Sequence, residues 1–530
     1  MAACSSVKEN KNVFVQPDYT ETDAQNVEIG RIQELIRTDS LAALWRCILL
    51  EQNTQEIPRI RQQCIDSVLA DYNRYIEERD YASARKVLVS LDAAGISAGT
   101  AAKTSMELGE LMTAAVPPLA EKNIGTAYDG KVSSLIRGTV TVWVDKGLKI
   151  EGGMGYADGV IGSGFFIDRK GTIITNHHVI SDVVDPKHEG IARLYVRLAD
   201  DPDSKIPAKV IGWDEVLDMA LLKVEIDSPF VFTLGSSTDL DVGDRIYAIG
   251  SPIGLERTLT SGIVSATDRM LFTIGTVLQI DAAVNSGNSG GPLVAQNGAV
   301  QGIVFAGISQ YSGLNFVIPV EYLKNELAFL YRGGKVEHSW IGAYGRTKRS
   351  AGRNAGLEVQ YVMPGSSAHR AGLSAGDIIT AINGEPIMQL EDMQNALMKQ
   401  MPGTLAQVTY RNADDEVQSA LVYLAVRPKN PGYSVYQSDL LGNAFEPIFG
   451  MKLISVSSIS SRKYSIKSIL RGSIADTSSF SENDPIDVNK IEFNDNKSVV
   501  YTEIYTKKRK AGYLDVSIGL QAGLDSPYYF

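Results

Sequence analysis

Cysteine is scarce in the sequence, which limits where disulfide bonds can form. The 530 residues include three cysteines, Cys4, Cys47 and Cys64, so an intramolecular disulfide cannot lie beyond residue 64. Cys47 and Cys64 fall in segments with helical apolar spacing, where cysteine usually behaves as a small buried apolar residue. The cysteine content neither requires nor excludes an oxidising compartment.

Long apolar runs and an excess of basic residues are also absent. The densest apolar stretch, Leu41–Leu50, is shorter than the ~18 residues that a membrane-spanning helix needs. A formal net charge of −11 argues against a general nucleic-acid-binding protein, which would carry a basic face. The five histidines show no metal-ligand spacing, and the sequence has no glycine-rich phosphate loop. We therefore expect no nucleic-acid partner, no metal and no cofactor.

The first residues resemble the end of a bacterial lipoprotein signal. Small residues precede Cys4 in the sequence Met-Ala-Ala-Cys-Ser-Ser, as they precede the cysteine that is lipidated in such signals. The resemblance implies a lipid anchor on Cys4 at the bacterial envelope. The alternative is a start codon followed by small residues, because the charged and apolar parts of a signal peptide are missing.

Shifts in residue pattern divide the chain into several domains, as its length leads us to expect. Apolar residues recur at helical spacing in the first quarter, whereas later short apolar runs alternate with Gly, Asp, Asn and Pro turns. The predicted segments are a flexible start at 1–22, a helical region at 23–122, an all-β domain at 131–333, an α+β unit at 339–427, a linker at 428–448 and a β-rich unit at 449–530. Within the helical region, residues 70–85 resemble one tetratricopeptide-type hairpin, which fits a docking module or a helical spacer.

A glycine-rich turn in the all-β domain presents a candidate nucleophile. The stretch Asn285–Leu293 reads Asn-Ser-Gly-Asn-Ser-Gly-Gly-Pro-Leu and places Ser289 between glycines. Glycines permit a tight turn, and the N–H groups of Gly287 and Ser289 could then point at a developing oxyanion. A serine in such a turn is often structural, so the interpretation depends on the partners that accompany it.

Two upstream motifs supply those partners. Thr175-Asn-His-His-Val places a histidine just after a predicted strand, where it could act as a general base towards Ser289. Asp218 leads into the apolar stretch Met219–Lys223, where an aspartate could orient the imidazole and stabilise its protonated form. The order His, Asp, Ser is the one found in chymotrypsin-like double β-barrels.

With these motifs the sequence resembles the HtrA/Deg serine proteases from about residue 131 to residue 426. Five segments carry the resemblance in matching order: Gly162–Ile167, Thr175–Val179, Asp218–Lys223, Thr260–Ala266 and Gly287–Leu293. It implies a catalytic triad of His178, Asp218 and Ser289, since in that family the histidine directly precedes the valine. Ser286 and the Ser251-Pro-Ile-Gly segment depart from the family pattern, which leaves the oxyanion-loop equilibrium and the local packing open.

The resemblance also implies a substrate pocket and a biological setting. Ala283 would line the pocket floor, and Leu314, Asn315 and Phe316 its wall and the strand that pairs with substrate. Without a carboxylate on that floor, an aliphatic preference is expected rather than a trypsin-like one, and broad cleavage of unfolded chains follows. Members of the family usually form homotrimers, need no cofactor and act in the bacterial envelope or periplasm on misfolded polypeptides.

The α+β unit resembles a PDZ domain of the type that follows HtrA proteases. Its motifs are Gly356-Leu-Glu-Val, Met363-Pro-Gly-Ser-Ser-Ala, Ala371-Gly-Leu and Gly376-Asp-Ile-Ile-Thr-Ala-Ile-Asn-Gly. Such domains add a peptide to a strand edge and hold its C-terminal carboxylate. By this resemblance, Trp340, Ile341, Gly342 and Ala343 stand at the position of the carboxylate-binding loop. Met393 and Leu397 share a helix face that would line the groove or simply pack in the core.

The last unit repeats this order of elements in divergent form. We interpret residues 449–530 as a divergent second PDZ-like domain. The last three residues of the sequence are Tyr528-Tyr529-Phe530, an aromatic ending of the kind that PDZ domains of this family can bind. One hypothesis is that this segment docks in its own or a neighbour's groove and competes with substrate. The alternative is an ordinary final strand.

Three functions remain open at this stage. The first is an ATP-independent quality-control protease that cleaves misfolded proteins through an acyl-enzyme. The second is a non-catalytic chaperone or PDZ adaptor on a protease-like scaffold. The third is a regulatory protease that cuts one specific partner, which the sequence does not separate from the first.

Overall fold

The computed structural model describes residues 21–50, 57–99, 102–116, 128–188, 190–250, 258–270, 274–285, 287–307, 314–456, 462–508 and 514–530. It has the multidomain class expected from the sequence, with a helical region, a protease-like β domain and two smaller β-rich domains. In this described part of the chain, no helix is both long and apolar enough to cross a membrane. Cys4, Ser251 and Ser286 lie outside the described residues.

The helical region forms its own core. Its helices are α1 (Glu21–Thr38), α2 (Ser40–Leu50), α3 (Ile57–Glu77), α4 (Tyr81–Ala93) and α5 (Ser105–Ala114). Asp80 caps α4 by accepting a hydrogen bond from the Ser83 N–H. Cys47 and Cys64 are fully buried in this core, and neither belongs to a disulfide bond within the described residues. The hydrogen bond to Cys47, together with burial, raises the pKa of the Cys64 thiol, so both cysteines have the apolar structural role expected of them.

The first half of the β domain is an eight-stranded sheet. Its strands are β1 (Thr139–Glu151), β2 (Met154–Phe166), β3 (Thr172–Thr175), β4 (Arg193–Leu198), β5 (Ile206–Pro207), β6 (Lys209–Asp214), β7 (Met219–Lys223) and β14 (Gly334–Lys335), in the order β14-β6-β7-β3-β2-β1-β4-β5. The short helix α6 (Val132–Leu135) precedes β1, and α7 (His177–Val184) follows β3. The β1–β2 hairpin extends well beyond the core, and Leu148, Ile150 and Met154 are exposed there.

The second half is a closed six-stranded barrel. Its strands are β8 (Arg245–Gly250), β9 (Thr258–Arg269), β10 (Val277–Ile280), β11 (Pro292–Ala295), β12 (Val300–Gly307) and β13 (Asn315–Pro319), in the order β10-β13-β12-β11-β8-β9. Helix α8 (Val320–Arg332) follows and buries Leu323, Leu327 and Leu330 against both halves. The junction between these two β units holds the candidate catalytic side chains.

The next domain is the PDZ-like α+β unit. Its elements are β15 (Ser339–Trp340), β16 (Ala343–Ser350), β17 (Arg353–Val362), α9 (Ser367–Arg370), β18 (Ile378–Ile382), β19 (Glu385–Pro386), α10 (Leu390–Met398), β20 (Leu405–Arg411), β21 (Val417–Tyr423) and β22 (Ala425–Val426). The sheet order is β16-β17-β18-β20-β21, which leaves one side of β16 available to a further strand. Helix α10 borders that side through contacts with β15, β16 and β17.

The final domain corrects one prediction from the sequence. The expected linker at 428–448 instead contains α11 (Pro431–Ser438) and most of α12 (Leu441–Phe449), whose Val435, Ala444 and Phe445 join the core of the final domain. The Asn-Pro-Gly signal that suggested a linker starts a helix here, with proline in its first turn. The remaining elements are β23 (Met451–Ser455), β24 (Lys463–Ile469), α13 (Ile474–Thr477), β25 (Pro485–Phe493), β26 (Val499–Lys508) and β27 (Leu514–Gly523), and the sheet order is sequential.

Candidate active site and peptide groove

Main-chain packing fixes the turn that carries Ser289. The carbonyl of Ser289 accepts a hydrogen bond of 2.7 Å from the N–H of Ser163 on β2. Gly290 has φ of 88°, and a side chain there would collide with the Ser163 carbonyl and the Thr175 hydroxyl. Only glycine fits this close approach of the turn to β2 and β3, which explains the residue type beside the serine.

His178 and Asp218 are joined by two hydrogen bonds. The Nδ1 atom of His178 lies 2.7 Å from Asp218 Oδ2, and its main-chain N–H donates to Asp218 Oδ1 at 2.8 Å. The Asp218 carbonyl is held by the side-chain amide of Asn176 at 2.8 Å. This carboxylate can therefore fix the orientation of the imidazole and leave Nε2 as its reactive nitrogen.

The hydroxyl of Ser289 points elsewhere. Its Oγ donates to the carbonyl of Phe305 on β12 at 3.1 Å, and among the described contacts it has no hydrogen bond to His178. Proton transfer to a base requires hydrogen-bond reach in the substrate complex, although such bonds are often missing before substrate binds. The hydroxyl would have to leave Phe305 before His178 could take its proton.

The residues expected to hold an oxyanion lie in the same turn. Gly287 is buried with φ of 100°, and its carbonyl accepts a hydrogen bond of 2.6 Å from the Ser163 hydroxyl. That bond fixes the orientation of the peptide unit that follows Gly287. Ser163 lies in a motif that the sequence had singled out, but its hydroxyl had been given no role.

Two of the four predicted pocket residues, Asn315 and Phe316, have contacts that bear on the pocket. Asn315 on β13 is buried, and its side-chain amide donates to the Ala282 carbonyl at 2.7 Å, directly beside Ala283. Phe316 pairs with Gln279 of β10, and its ring centroid lies 6.4 Å from that of Phe305. Ala283 itself is exposed, and Leu314 is half-buried. The structure thus brings the predicted wall and floor segments together.

A cleft bordered by several charged side chains adjoins the histidine. Its volume is about 650 Å³, and its wall combines residues of the β domain with residues of the later domains. The charged and titratable side chains in that wall are His177, His178, Glu215, Asp218, Lys335, Glu337, His338, Arg427, Lys429 and Asp525. His177 borders this cleft, and burial lowers its pKa below the usual value for histidine.

A buried titratable cluster lies behind the cleft and could not be found from sequence spacing. His338 Nε2 is 2.9 Å from Asp214 Oδ2, and Glu326 completes a group whose possible ligand atoms lie within 4.8 Å of one another. Burial lowers the pKa of His338, but the charge and hydrogen bond of Asp214 outweigh it and raise that pKa above its usual value. Burial raises the pKa of Glu326 to about 8. The pair fastens the segment before β15 to β6, so its evident role is structural.

The predicted carboxylate-binding loop binds a strand of this same chain. The N–H groups of Gly342 and Ala343 donate to the main-chain oxygen of Phe530 at 3.1 and 3.0 Å. Phe530 returns a bond from its own N–H to the Ala343 carbonyl at 3.0 Å, and the Gly345 N–H donates to the Tyr528 carbonyl at 3.1 Å. Residues 528–530 therefore extend the PDZ sheet as an antiparallel strand beside β16.

The other predicted groove residues lie near this strand. Ile341, Met393, Leu397 and Phe530 are buried members of one apolar cluster, which is the core of the PDZ-like domain. Trp340 is also buried, on β15, where it pairs with β22. The groove and core interpretations of Met393 and Leu397 thus coincide, because the Phe530 side chain is part of that core.

Models of known families match four parts of the chain. Residues 162–303 match a trypsin-like peptidase domain, and residues 348–412 match a PDZ domain. Residues 432–524 match the TP0546 family PDZ domain, and residues 23–111 match a domain of unknown function, DUF8517. The match that begins at residue 432 agrees with the inclusion of α11 and α12 in the final domain.

Several bacterial proteins named "Probable periplasmic serine endoprotease DegP-like" are similar to this chain. The protein from Hahella chejuensis is 36% identical over 272 residues, which cover 49% of this chain and 56% of the relative. The protein from Pseudomonas fulva is 37% identical, covering 46% and 52%, and that from Chlamydia trachomatis is 35% identical, covering 47% and 50%. The chain thus spans about half the length of the curated relatives that it matches.

Two solved structures are similar to a little over half of this chain. The structure titled "HtrA-type protease AlgW with decapeptide" is 26% identical, with a TM-score of 0.49, and covers 57% of this chain and 99% of its own. A serine endoprotease from Yersinia pestis is 29% identical, with a TM-score of 0.44, and covers 57% and 99%.

Proposed function

We propose that this chain, which belongs to the HtrA/Deg family of serine proteases, is an endopeptidase that cleaves unfolded polypeptides with His178, Asp218 and Ser289. The observation that carries the proposal is the pair of hydrogen bonds between His178 and Asp218, next to a glycine-framed turn that presents Ser289. The relatives' names, which describe serine endoproteases, support the same reaction class.

In the proposed mechanism, substrate binding moves the Ser289 hydroxyl from Phe305 to His178. Nε2 of His178 accepts the hydroxyl proton while Oγ attacks the scissile carbonyl, and Asp218 stabilises the imidazolium. The N–H groups of Gly287 and Ser289 bind the oxyanion. His178 then gives its proton to the leaving amine, and water hydrolyses the acyl-enzyme with the same histidine as base.

The substrate class follows from the pocket and the groove. Ala283, Leu314, Asn315 and Phe316 provide no carboxylate, so we infer a preference for aliphatic residues before the scissile bond rather than for Lys or Arg. A pocket of this type discriminates weakly, which suits the cleavage of misfolded chains. The Ser289–Phe305 bond supports a low basal rate that a bound peptide would raise.

The cellular location, the oligomeric state and the lipid anchor are proposed from the resemblance to the family. The relatives are named periplasmic proteins, which supports action in the bacterial envelope. A homotrimer and lipidation of Cys4 are inferred from resemblance. Sedimentation equilibrium would test the trimer, and mass analysis of the membrane-associated protein would test the lipid.

The deciding experiment compares casein cleavage by the unaltered chain, by Ser289→Ala and by His178→Ala. We expect both variants to lose at least about 10³-fold in rate, since each removes a member of the nucleophile–base pair. His177→Ala is the matched control, because this neighbouring histidine borders the same cleft but has no hydrogen bond to Asp218 among the described contacts. It should stay within about threefold of the parent, as expected for a side chain outside the triad.

The second candidate is a chaperone or PDZ adaptor, which the Ser289–Phe305 bond favours because it separates the nucleophile from its base. If Ser289→Ala cleaves no more slowly than the parent, with and without added peptide, the protease proposal fails. Suppression of casein aggregation by both proteins would then assign the chaperone role. Cleavage of a single native partner, with casein spared, would identify a site-specific regulatory protease.

A further inference from the structure

The strand in the PDZ groove has the contacts of a bound peptide as well as those of a packed terminus. Its main chain makes four hydrogen bonds with Gly342, Ala343 and Gly345, in the alternating pattern of an added antiparallel strand. Gly342 has φ of 86°, which turns its N–H towards the same oxygen that Ala343 binds. Two adjacent N–H groups on one oxygen suit a carboxylate. In a chain that is expressed with Phe530 as its last residue, that oxygen belongs to one.

The Phe530 side chain occupies the apolar pocket between the loop and α10. It is 1% exposed and clusters with Ile341, Met393 and Leu397. A pocket that encloses a phenylalanine of this size selects a bulky apolar final residue, because smaller side chains would leave a void. Tyr528 extends the contact outside the pocket, where its ring lies 4.5 Å from the Arg346 guanidinium.

The same strand also connects the PDZ groove to other domains. Tyr529 is fully buried in the core of the final domain, and its hydroxyl donates to the Pro447 carbonyl at 3.2 Å. Just before the strand, Asp525 pairs with the buried Arg427, with Oδ2 3.2 Å from the guanidinium, and both line the cleft beside His178. A segment of six residues thus runs from the catalytic cleft to the peptide groove.

We propose that residues 526–530 are a tethered ligand of this groove, which an added peptide must displace in order to bind. The assignment deepens the proposed function by naming how its regulatory site is controlled, and it rests on that function only for the effect on proteolysis. Incoming peptides compete with a segment that remains attached to the final domain.

The size of the competition follows from tethering. A ligand on a short tether has an effective concentration of about 1 mM. A peptide with an intrinsic dissociation constant of about 0.1 mM would therefore bind the intact chain roughly tenfold more weakly than it binds an open groove. A strand that only completes the fold would not exchange, and its disruption would not increase peptide affinity.

The test measures peptide binding to the full chain carrying Ser289→Ala. The probe is a fluorescent peptide of residues 524–530, Leu-Asp-Ser-Pro-Tyr-Tyr-Phe, with a free carboxylate, and anisotropy reports its binding. Phe530→Asp places a charge where the pocket is apolar and should release the tethered segment. We expect about tenfold tighter apparent binding to Phe530→Asp than to the Ser289→Ala parent. The same peptide with a C-terminal amide should bind both proteins at least about tenfold more weakly, since two N–H groups lose their charged acceptor.

Two further variants keep the result decisive. Tyr501→Ser alters an exposed aromatic residue of the final domain outside the groove and should match the parent. A chain extended by Gly-Ser-Gly after Phe530 retains every side chain but removes the carboxylate from the loop. It should behave like Phe530→Asp, and it decides the question if circular dichroism shows that Phe530→Asp is misfolded.

Parental affinity in a folded Phe530→Asp protein and in the extended chain would overturn the proposal, as would the absence of peptide binding in all of them. Because every protein in this experiment lacks Ser289, these outcomes do not depend on whether the chain is a protease. Casein cleavage by the Ser289-containing chain reports that question separately.

Discussion

At Asp218 the backbone adopts a conformation that few residues other than glycine favour. Its φ is 53°, in the left-handed region that aspartate and asparagine tolerate better than most side chains. The side-chain amide of Asn176 donates a hydrogen bond to the Asp218 carbonyl. The Asp218 carboxylate accepts hydrogen bonds from the main-chain N–H and the ring Nδ1 of His178. This conformation lets one side chain bond to the ring and the main chain of the histidine together. Asp218 is thus fixed by its neighbours before substrate binds.

Glu326 gives the clearest prediction at the scale of single residues. Burial raises the pKa of its carboxyl from 4.5 to about 8, so the folded protein binds a proton that the unfolded chain releases above pH 4.5. Stability from this group is complete below pH 4.5 and is lost as the pH rises through about 8. Its titratable neighbours are Asp214 and His338, and Arg427 acts on His338. The raised pKa of His338 acts in the same direction.

We expect Glu326→Gln to flatten this dependence. Between pH 6 and 8 the parent should lose about 2 kcal/mol of unfolding free energy relative to the variant, since the linkage slope approaches ~1.4 kcal/mol per pH unit. Urea unfolding at both pH values measures it, and Glu110→Gln, at an exposed position on α5, is the control. Equal pH slopes in the parent and Glu326→Gln would contradict the assignment of the raised pKa.

At the scale of elements, helix α10 connects the protease domain to the tethered strand. Gln394 on this helix is buried, and its side-chain oxygen accepts the Gly275 N–H of the protease domain at 3.1 Å. Its side-chain nitrogen donates to the Pro527 carbonyl at 2.7 Å. The side-chain amide of Gln394 is therefore hydrogen-bonded both to the loop before β10 and to the strand in the groove.

Replacement of Gln394 should therefore loosen the strand. We expect Gln394→Leu to raise the apparent affinity for the free peptide by up to about fivefold, because the strand loses one hydrogen bond worth ~1 kcal/mol. In combination with Phe530→Asp it should add nothing, since the strand is already released. Anisotropy with the same peptide measures both, and Asn395→Leu on the same helix is the control. Full additivity in the double variant would show that Gln394 acts on peptide binding by another route.

Elements with a clear apolar pattern were predictable from the sequence, whereas polar extensions were not. The short apolar runs of the sequence at 172–174 and 245–249 lie in β3 and β8, and the helical apolar spacing at 320–331 lies in α8. The hairpin of β1 and β2 continues to Glu151 and Met154, where glycine and charged residues give no alternation to detect. Helices α11 and α12 were missed because proline and glycine signals outweighed a short apolar face.

Local motifs likewise predicted more of the site than distant contacts did. The placement of His178 beside Asp218 follows from strand ends that the fold brings together. The hydrogen bond from the Ser289 hydroxyl to the Phe305 carbonyl, and the grouping of Asp214, Glu326 and His338, involve residues that no sequence motif links. Such contacts depend on the packing of whole domains, which no spacing rule describes.

At the scale of the whole molecule, the helical region is docked on the PDZ-like domain. Trp45 of α2 is buried, its indole N–H donates to the Leu421 carbonyl of β21 at 2.8 Å, and its ring stacks on Tyr423 at 5.7 Å. Leu405 of β20 belongs to the helical core. Arg332 at the end of α8 adds a contact of 3.0 Å with Asp80. The helical region is thereby held against the PDZ-like domain and the protease domain.

We expect Trp45→Ala to weaken this docking by about 3 kcal/mol, the usual loss for a large buried aromatic side chain. Hydrogen exchange at β21 should then accelerate, and scattering should show a larger radius of gyration. Trp143→Ala, a half-buried tryptophan of the protease domain, is the control. Unchanged β21 protection in a folded Trp45→Ala protein would mean that the docking does not depend on this side chain.

The occupied groove has a consequence for the speed of response. If the strand must leave before a peptide enters, the observed association rate will rise with peptide concentration only until it reaches the opening rate of the strand, and will then level off. The aromatic side chains that fill two neighbouring domain cores would set that opening rate. The occupancy of the groove would then depend on how long free C-terminal peptides persist as well as on their concentration. Peptides that are present for less time than the strand takes to open would not bind.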